Sequence, residues 1–343
     1  MKALVLTAYK HFEYCEVPEP QPGPEDVLVR VEACGICGSD VHGMDGSTGR
    51  RVPPIIMGHE AAGVIAQIGA AVEGWQLGDR VTFDSTISCG RCHYCVQGQI
   101  NLCDRRRVLG VSCAEFRQDG ALAEFVAVPQ HILYRLPEGL EFHFAAMVEP
   151  VSIAVHAVRR VGVRLGDTAV VVGAGMIGLL VVQALRAAGC GRVWAVEPDA
   201  GRRQLALRLG ADEAFSPEET EVLAEVRRRT QGRGADVAVE AVGIPATVSL
   251  AIGAVRKGGA VALVGNLSPQ AELPLQAVVT RELRLDGCCA SSGEYPLCLE
   301  LLARGAIQVE PLISAVVPLA EAAAWFDRLY QRQPGLLKVI VRP

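Results

Sequence analysis

Apolar residues in the first half of the chain come in short runs, some alternating with polar positions, at 3–6, 27–31, 63–68, 80–83 and 122–128. Turn-rich stretches such as the Pro- and Gly-dense segment 18–24 cut these runs apart. Runs of that length between such punctuation predict β-strands, and their close succession predicts an antiparallel β-domain. No fixed period recurs, which argues against a repeat array. From about residue 149 the pattern changes to helical spacing over 151–163, then a β-branched run at 169–172 that enters a glycine-rich turn and an apolar helix ending near 188. Strand and helix patterns then alternate at 193–196, 202–209, 218–229, 237–239, 246–255 and 260–264. That alternation predicts a parallel sheet wound on both faces by helices. Beyond about residue 295 come two helical patterns and a terminal strand at 338–341, which fit the first domain better than more of the same sheet. The expected fold is α/β: a β-rich domain over 1–150 completed by 291–343, and a doubly wound parallel-sheet domain over 151–290.

Composition narrows this picture. The chain has 343 residues, 50% of them hydrophobic and 21% charged, enough to bury two cores. Its net charge is −5, and the basic triplets at 105–107 and 227–229 are isolated, so nucleic acid is not an expected partner and both read as solvated surface. The N-terminal 20 residues have too short an apolar core and too many early charges for a signal peptide. The uncharged run 168–185 has the length of a membrane span, but its glycines split it into a strand-like and a helix-like half, so a buried βα unit is expected and no membrane. Of twelve cysteines, four fall between 89 and 103, which points to metal binding in a reducing cytoplasm rather than to disulfides.

Three constellations carry chemistry. The segment 34–60 sets Cys37, Ser39, His42, His59 and Glu60 within one glycine-punctuated stretch, and thiol, imidazole and carboxylate are the donors that catalytic zinc accepts. A single histidine is ordinarily a core or turn residue; its company, together with Glu149 in a Val-Glu-Pro at the expected domain junction, makes His59 a ligand candidate. Cys89, Cys92, Cys95 and Cys103 are spaced to close a tetrahedral four-thiolate cage with no open position, hence a structural site. An iron–sulfur cluster takes similar ligands, but nothing else here suggests electron transfer. Third, Gly173-x-Gly175-Met176-Ile177-Gly178 follows a strand and opens a helix, and Glu197 ends the next strand 19 residues after Gly178. This is a dinucleotide fingerprint with the pyrophosphate on the helix N-terminus. Glu197, with Asp199 beside it, favours NAD; Arg202 and Arg203 are placed to reverse that preference by pairing with a 2′-phosphate. Val242, Val264 and Gly265, at later strand ends, are further cofactor-binding candidates.

In this order and over nearly the whole chain, Gly-His-Glu at 58–60, Cys-Gly-Ile-Cys-Gly-Ser-Asp-Val-His at 34–42, the four-cysteine lobe and the nucleotide fingerprint resemble the zinc-dependent medium-chain dehydrogenases. The branch is similar to polyol (sorbitol-like) and sugar-alcohol dehydrogenases. The resemblance implies a GroES-like catalytic domain with a Rossmann domain inserted before a C-terminal return. It implies Cys37, His59 and Glu60 as catalytic zinc ligands, Glu149 as a carboxylate on the zinc or its water, Ser39 and His42 as a proton relay, and the four lobe cysteines on structural zinc. The implied reaction is hydride transfer from a secondary alcohol or polyol to NAD, giving a ketone or ketose. Threonine, butanediol and simple-alcohol dehydrogenases share that chemistry, and a non-catalytic nucleotide-binding protein is the rival from another class. One departure stands out: the sorbitol type carries an Arg-Tyr pair where this chain has Ala290 and Ser291. A homodimer or homotetramer is expected, with 260–264 and 287–289 candidates for a shared sheet edge or for buried core.

Overall fold

The computed structural model describes residues 1–113 and 116–343. The chain divides into two compact units, Met1–Glu149 with Ser292–Arg304 and Val309–Pro343, and Pro150–Ser291 with Gly305–Gln308.

The first unit is built on a seven-stranded sheet. Its strands run in the order Leu133–Arg135, Arg80–Phe83, Glu60–Ile68, Asp26–Gly35, Lys338–Arg342 and Ile313–Pro318, with Phe125–Pro129 also paired to Asp26–Gly35. All pairings are antiparallel except that between Ile313–Pro318 and Lys338–Arg342. The expected run at 80–83 is a strand at those bounds. The run at 122–128 becomes strand only at Phe125; before it, Leu122 donates its N–H to the Met57 carbonyl and accepts from the Leu4 N–H instead of pairing with Asp26–Gly35. Strands outside the expected runs include His11–Glu16, which lies largely exposed along Lys2–Ala8, and Ile313–Pro318, an apolar run half of whose residues face solvent. Register fixes what matters for chemistry. Gly35 lies opposite Glu60 on one side and Ile340 on the other, so strands from three distant parts of the chain meet there. Beneath them, Leu4, Leu6, Val29, Ile65, Phe83, Leu122, Phe326 and Val339 form a continuous apolar core.

In the second unit six strands are all parallel, in the order Glu213–Phe215, Arg192–Val196, Thr168–Val172, Ala235–Glu240, Val255–Leu263 and Arg284–Gly287. The order reverses between Thr168–Val172 and Ala235–Glu240, and a crevice for ligands opens at the carboxyl ends of such a pair. The core joins Val170, Trp194, Val196, Phe215, Ala238, Ile252 and Val261. The helix expected from 218 starts only at Val222, since the Glu219 and Thr220 N–H groups turn back onto the Ser216 carbonyl first. Helix Pro245–Ala254 passes directly into its strand. The run at 260–264 has neighbours on both sides and is therefore interior; Arg284–Gly287 is the edge. Gly305–Gln308 joins this unit through a reciprocal pair, Gln183 Nε2 to the Gln308 carbonyl at 3.0 Å and Gln308 N–H to Gln183 Oε1 at 2.7 Å.

Candidate active site

Strand Asp26–Gly35 ends in Ile36 and Cys37, and Cys37 caps the short helix Gly38–Gly43. That helix carries Ser39, which is exposed, and His42, which is half-buried. His59 and Glu60 enter from the start of strand Glu60–Ile68. The turn before them requires glycine: Gly58 has φ +96°, and a Cβ there would stand 2.8 Å from Cys34 Sγ and 2.9 Å from Leu122 Cγ. The ligand atoms of Cys37, His59 and Glu60 lie within 4.8 Å of one another. Glu149, in the first turn of helix Val148–Val161, is outside that close group but belongs to the same unit, and its carboxyl acts electrostatically on His59, Glu60 and Lys338.

Three buried partners, of which only Asp40 lies within a motif quoted above, complete the surroundings. Asp40 is fully buried between Arg51, whose Nε and Nη2 donate to Oδ1 at 2.9 and 2.7 Å, and His59, whose Nδ1 faces Oδ2 at 3.3 Å. Burial alone would raise the Asp40 carboxyl; His59 and Arg51 hold it well below the usual range. With Nδ1 turned to Asp40, Nε2 is the His59 nitrogen left for the ligand group, the arrangement by which a carboxylate orients a metal-binding imidazole. Lys338, in the last strand, places Nζ 2.8 and 2.6 Å from the two oxygens of Glu60 and 3.0 Å from the Ile36 carbonyl. A lysine in the otherwise apolar run 336–341 was the one visible hint of it. Burial would discharge Lys338, but Glu60 and Cys37 keep its pKa raised. Arg51 with Asp40 and Lys338 with Glu60 thus form two internally compensated ion pairs, and burial pushes the Glu149 carboxyl up to about 7. A dication is the species that this donor set of thiol, imidazole and carboxylate fits.

Cys89, Cys92, Cys95 and Cys103 also bring their sulfurs within 4.8 Å of one another, in a loop of 3₁₀ turns at Cys95–Gln97 and Ile100–Leu102. Cys89 and Arg105 both donate their backbone N–H to Cys103 Sγ at 3.3 Å. Backbone N–H groups of Cys95 and Asp104 lower Cys92 to about 6, whereas burial and the neighbouring thiols push Cys95 up to about 12. Four sulfurs so placed repel as thiolates unless a cation sits among them. Among the described residues the cysteines are free thiols.

In the second unit Gly173 follows strand Thr168–Val172 with φ +92°, and a Cβ on Gly178 would stand 1.8 Å from the Gly173 carbonyl oxygen. Gly175 caps helix Met176–Ala187 with no side-chain acceptor, so the first N–H groups face outward as an anion site. Glu197 Oε2 accepts from Ala174 N–H at 2.8 Å and Oε1 from Asp199 N–H at 3.1 Å, which ties the acidic residue to the glycine turn and leaves each oxygen a further lone pair. Arg203 gives Nη1 to the Glu197 and Pro198 carbonyls, while the Arg202 N–H bonds Asp199 Oδ1. Val242 packs over Gly173, and Val264 and Gly265 donate N–H to the Glu240 carbonyl. Elsewhere in the first unit Met44 is core, Trp75 stacks under Arg135, Phe116 under Arg106, and buried Tyr295 stacks on Tyr134.

Residues 23–138 match the family model of the alcohol dehydrogenase GroES-like domain, and residues 177–304 match that of the zinc-binding dehydrogenases. Sorbitol dehydrogenase of Bacillus subtilis is 34% identical, covering 100% of this chain and 97% of the relative. D-xylulose reductase A of Aspergillus oryzae is 36% identical over 95% and 93%. A solved structure of a zinc-binding dehydrogenase from Sinorhizobium meliloti, bound to NADP, superposes with a TM-score of 0.91 at 34% identity, covering 100% of this chain and 99% of that one. With thiol, imidazole and carboxylate converging in one unit and a nucleotide turn in the other, these chain-long matches make the protein a zinc-dependent medium-chain dehydrogenase.

Proposed function

We propose that the protein oxidises a secondary alcohol of a polyol to the ketose level with NAD as acceptor. The observation that carries this reading is the convergence of Cys37, His59 and Glu60 beside the exposed Ser39 hydroxyl. Cys37 and His59 would hold the catalytic zinc, Glu149 or water completing its shell. Glu60 would be a further ligand candidate, since each of its oxygens accepts once from Lys338 and keeps another lone pair. The four lobe cysteines would hold the structural zinc. Zinc supplies Lewis-acid activation of an alcohol, and the nicotinamide supplies the hydride acceptor. Ser39, now donating to Cys37 Sγ at 3.3 Å, would accept the alcohol proton and pass it toward His42 on the same helix. Gly173, Gly175, Met176, Ile177 and Gly178 would carry the pyrophosphate, and Glu197 the ribose, with NAD preferred over NADP because a carboxylate repels a 2′-phosphate. Val242, Val264 and Gly265 would border the cofactor.

The test is NAD reduction across C3 to C6 polyols, their phosphates, butanediol and threonine, with NADP in parallel. Turnover confined to threonine or butanediol would refute the polyol assignment, and turnover with NADP alone would refute the NAD assignment. Edge strand Arg284–Gly287 and the exposed Leu275 and Val279 on the preceding helix support a homodimer or homotetramer. Free lobe thiols support a reducing, cytoplasmic setting.

A further inference from the structure

Arg51 sits in a loop between helix Gly38–Gly43 and strand Ile55–Ile56, beside a second arginine, where an exposed pair would be ordinary. It is instead 4% exposed. Two features bring it inside. Ser112 clips the chain just beyond it, accepting the Val52 N–H at 2.6 Å and donating to the Val52 carbonyl at 2.7 Å. Its stem then crosses the bare backbone of Gly43, where a Cβ would lie 2.6 Å from Arg51 Cγ. The guanidinium reaches two groups at once. Nε and Nη2 converge on Asp40 Oδ1, and Nη2 also lies 3.4 Å from Ser39 Oγ. Nη1 is spent on the Arg50 carbonyl at 3.2 Å.

We propose that Arg51 is a positioning residue for both halves of the chemistry, setting the His59 ring through Asp40 and setting the Ser39 hydroxyl directly. This inference rests on the zinc reading above. Two donors on one carboxylate oxygen fix the plane of Asp40 and leave its second oxygen facing His59 Nδ1, so the ring cannot swing its Nε2 away from Cys37 and Glu60. The same Nη2 occupies one lone pair of Ser39, which holds the hydroxyl beside Cys37 rather than letting it turn to solvent. A lysine could keep the charge next to Asp40, but a single ammonium lacks the planar fork that serves two acceptors in fixed directions.

The experiment uses the intact, zinc-loaded protein and begins with its metal content. Fewer than two zinc ions per chain overturns the zinc reading itself, independently of Arg51. Given two, zinc release to a chelator is followed at each site in Arg51→Met and Arg51→Lys, with kcat and KM measured alone and in a Ser39→Ala background. Arg51→Met is expected to release the zinc of the Cys37 site about 10- to 100-fold faster with lobe zinc unchanged. Arg51→Lys is expected to hold zinc close to the parent but to lose about tenfold in kcat at unchanged KM for NAD. That loss should disappear in the Ser39→Ala background, as coupled residues do in a double-mutant cycle. Parent-like zinc release in Arg51→Met, equal acceleration at both zinc sites, or a Lys penalty that adds in full to Ser39→Ala would each overturn the proposal. If Arg51→Met does not fold, the Lys cycle decides alone.

Discussion

Lys338 and Glu60 form a pair with side-chain exposures of 3% and 1%. Removing one member of such a pair leaves a buried charge without compensation, at a cost of about 3–5 kcal/mol. Lys338→Met is therefore expected to destabilise the metal-free protein by that amount in urea unfolding. The zinc-loaded protein should lose less, because a dication can then neutralise Glu60; equal losses with and without zinc would argue against Glu60 standing within reach of the metal. Asp84 poses the opposite case. It is 2% exposed, its Oδ1 accepts from Thr86 N–H at 2.8 Å, and its Oδ2 has no hydrogen-bond partner among the described residues. Burial, with a contribution from the negative Glu294, pushes it up to about 6. Between its unfolded value near 4 and 6, the folded chain holds a proton that the unfolded chain has released, so stability falls as pH rises through that window and stays lower above it. Asp84→Asn keeps the acceptor for Thr86 and cannot ionise. Relative to the parent, it should gain little near pH 4 and roughly 3 kcal/mol by pH 8. Thermal unfolding of both proteins across that range checks the sign, and a gain over the parent no larger at pH 8 than at pH 4 would refute it.

At the scale of elements, the glycine turns decide where ligands can stand. Gly178→Ala puts a methyl 1.8 Å from the Gly173 carbonyl oxygen, so helix Met176–Ala187 must move off its strand. Weaker NADH binding by an order of magnitude or more is expected in fluorescence titration, since this helix packing is what lets the turn approach a pyrophosphate. Zinc content should stay at the parent level, because the four lobe cysteines and the Cys37 group belong to the other unit. Periodicity made the fold class legible wherever burial was two-sided: the Val-rich run at 169–172 and its apolar helix could be little else. It failed for Arg284–Gly287 and His11–Glu16, edge strands whose polar residues suit solvent and leave no alternation to read. The close cysteine spacing of the lobe and the clustering of Cys37, His59 and Glu60 were visible in the sequence as candidate ligands. Asp40, Arg51 and Lys338 were not, because their importance depends on burial and on strand register, and neither is written in local composition.

For the molecule as a whole, the two donor clusters of the first unit predict two metal events of different character. Chelator treatment should remove zinc in two phases, one for the Cys37 group, with its exposed Ser39 neighbour and open coordination position, and a slower one for the closed lobe. A single phase would contradict that distinction. The first unit is also discontinuous: strand Lys338–Arg342 pairs with both Asp26–Gly35 and Ile313–Pro318. A chain truncated before residue 338 should accordingly lose the cooperative unfolding of that unit, as followed by the near-ultraviolet signal of Trp75 and Trp325 packed against its core. The Lys338–Glu60 pair then bears on the order of events at the ribosome. The two partners are 278 residues apart in sequence, and at typical elongation rates Glu60 leaves the exit tunnel tens of seconds before Lys338. For that interval the carboxylate beside Cys37 and His59 has no resident cation, and the second unit has time to fold around its own sheet. Pairing of strand Lys338–Arg342 is therefore the step that turns an open cluster of metal donors into a finished centre, so a segment made long after the donors sets when the chemistry can begin.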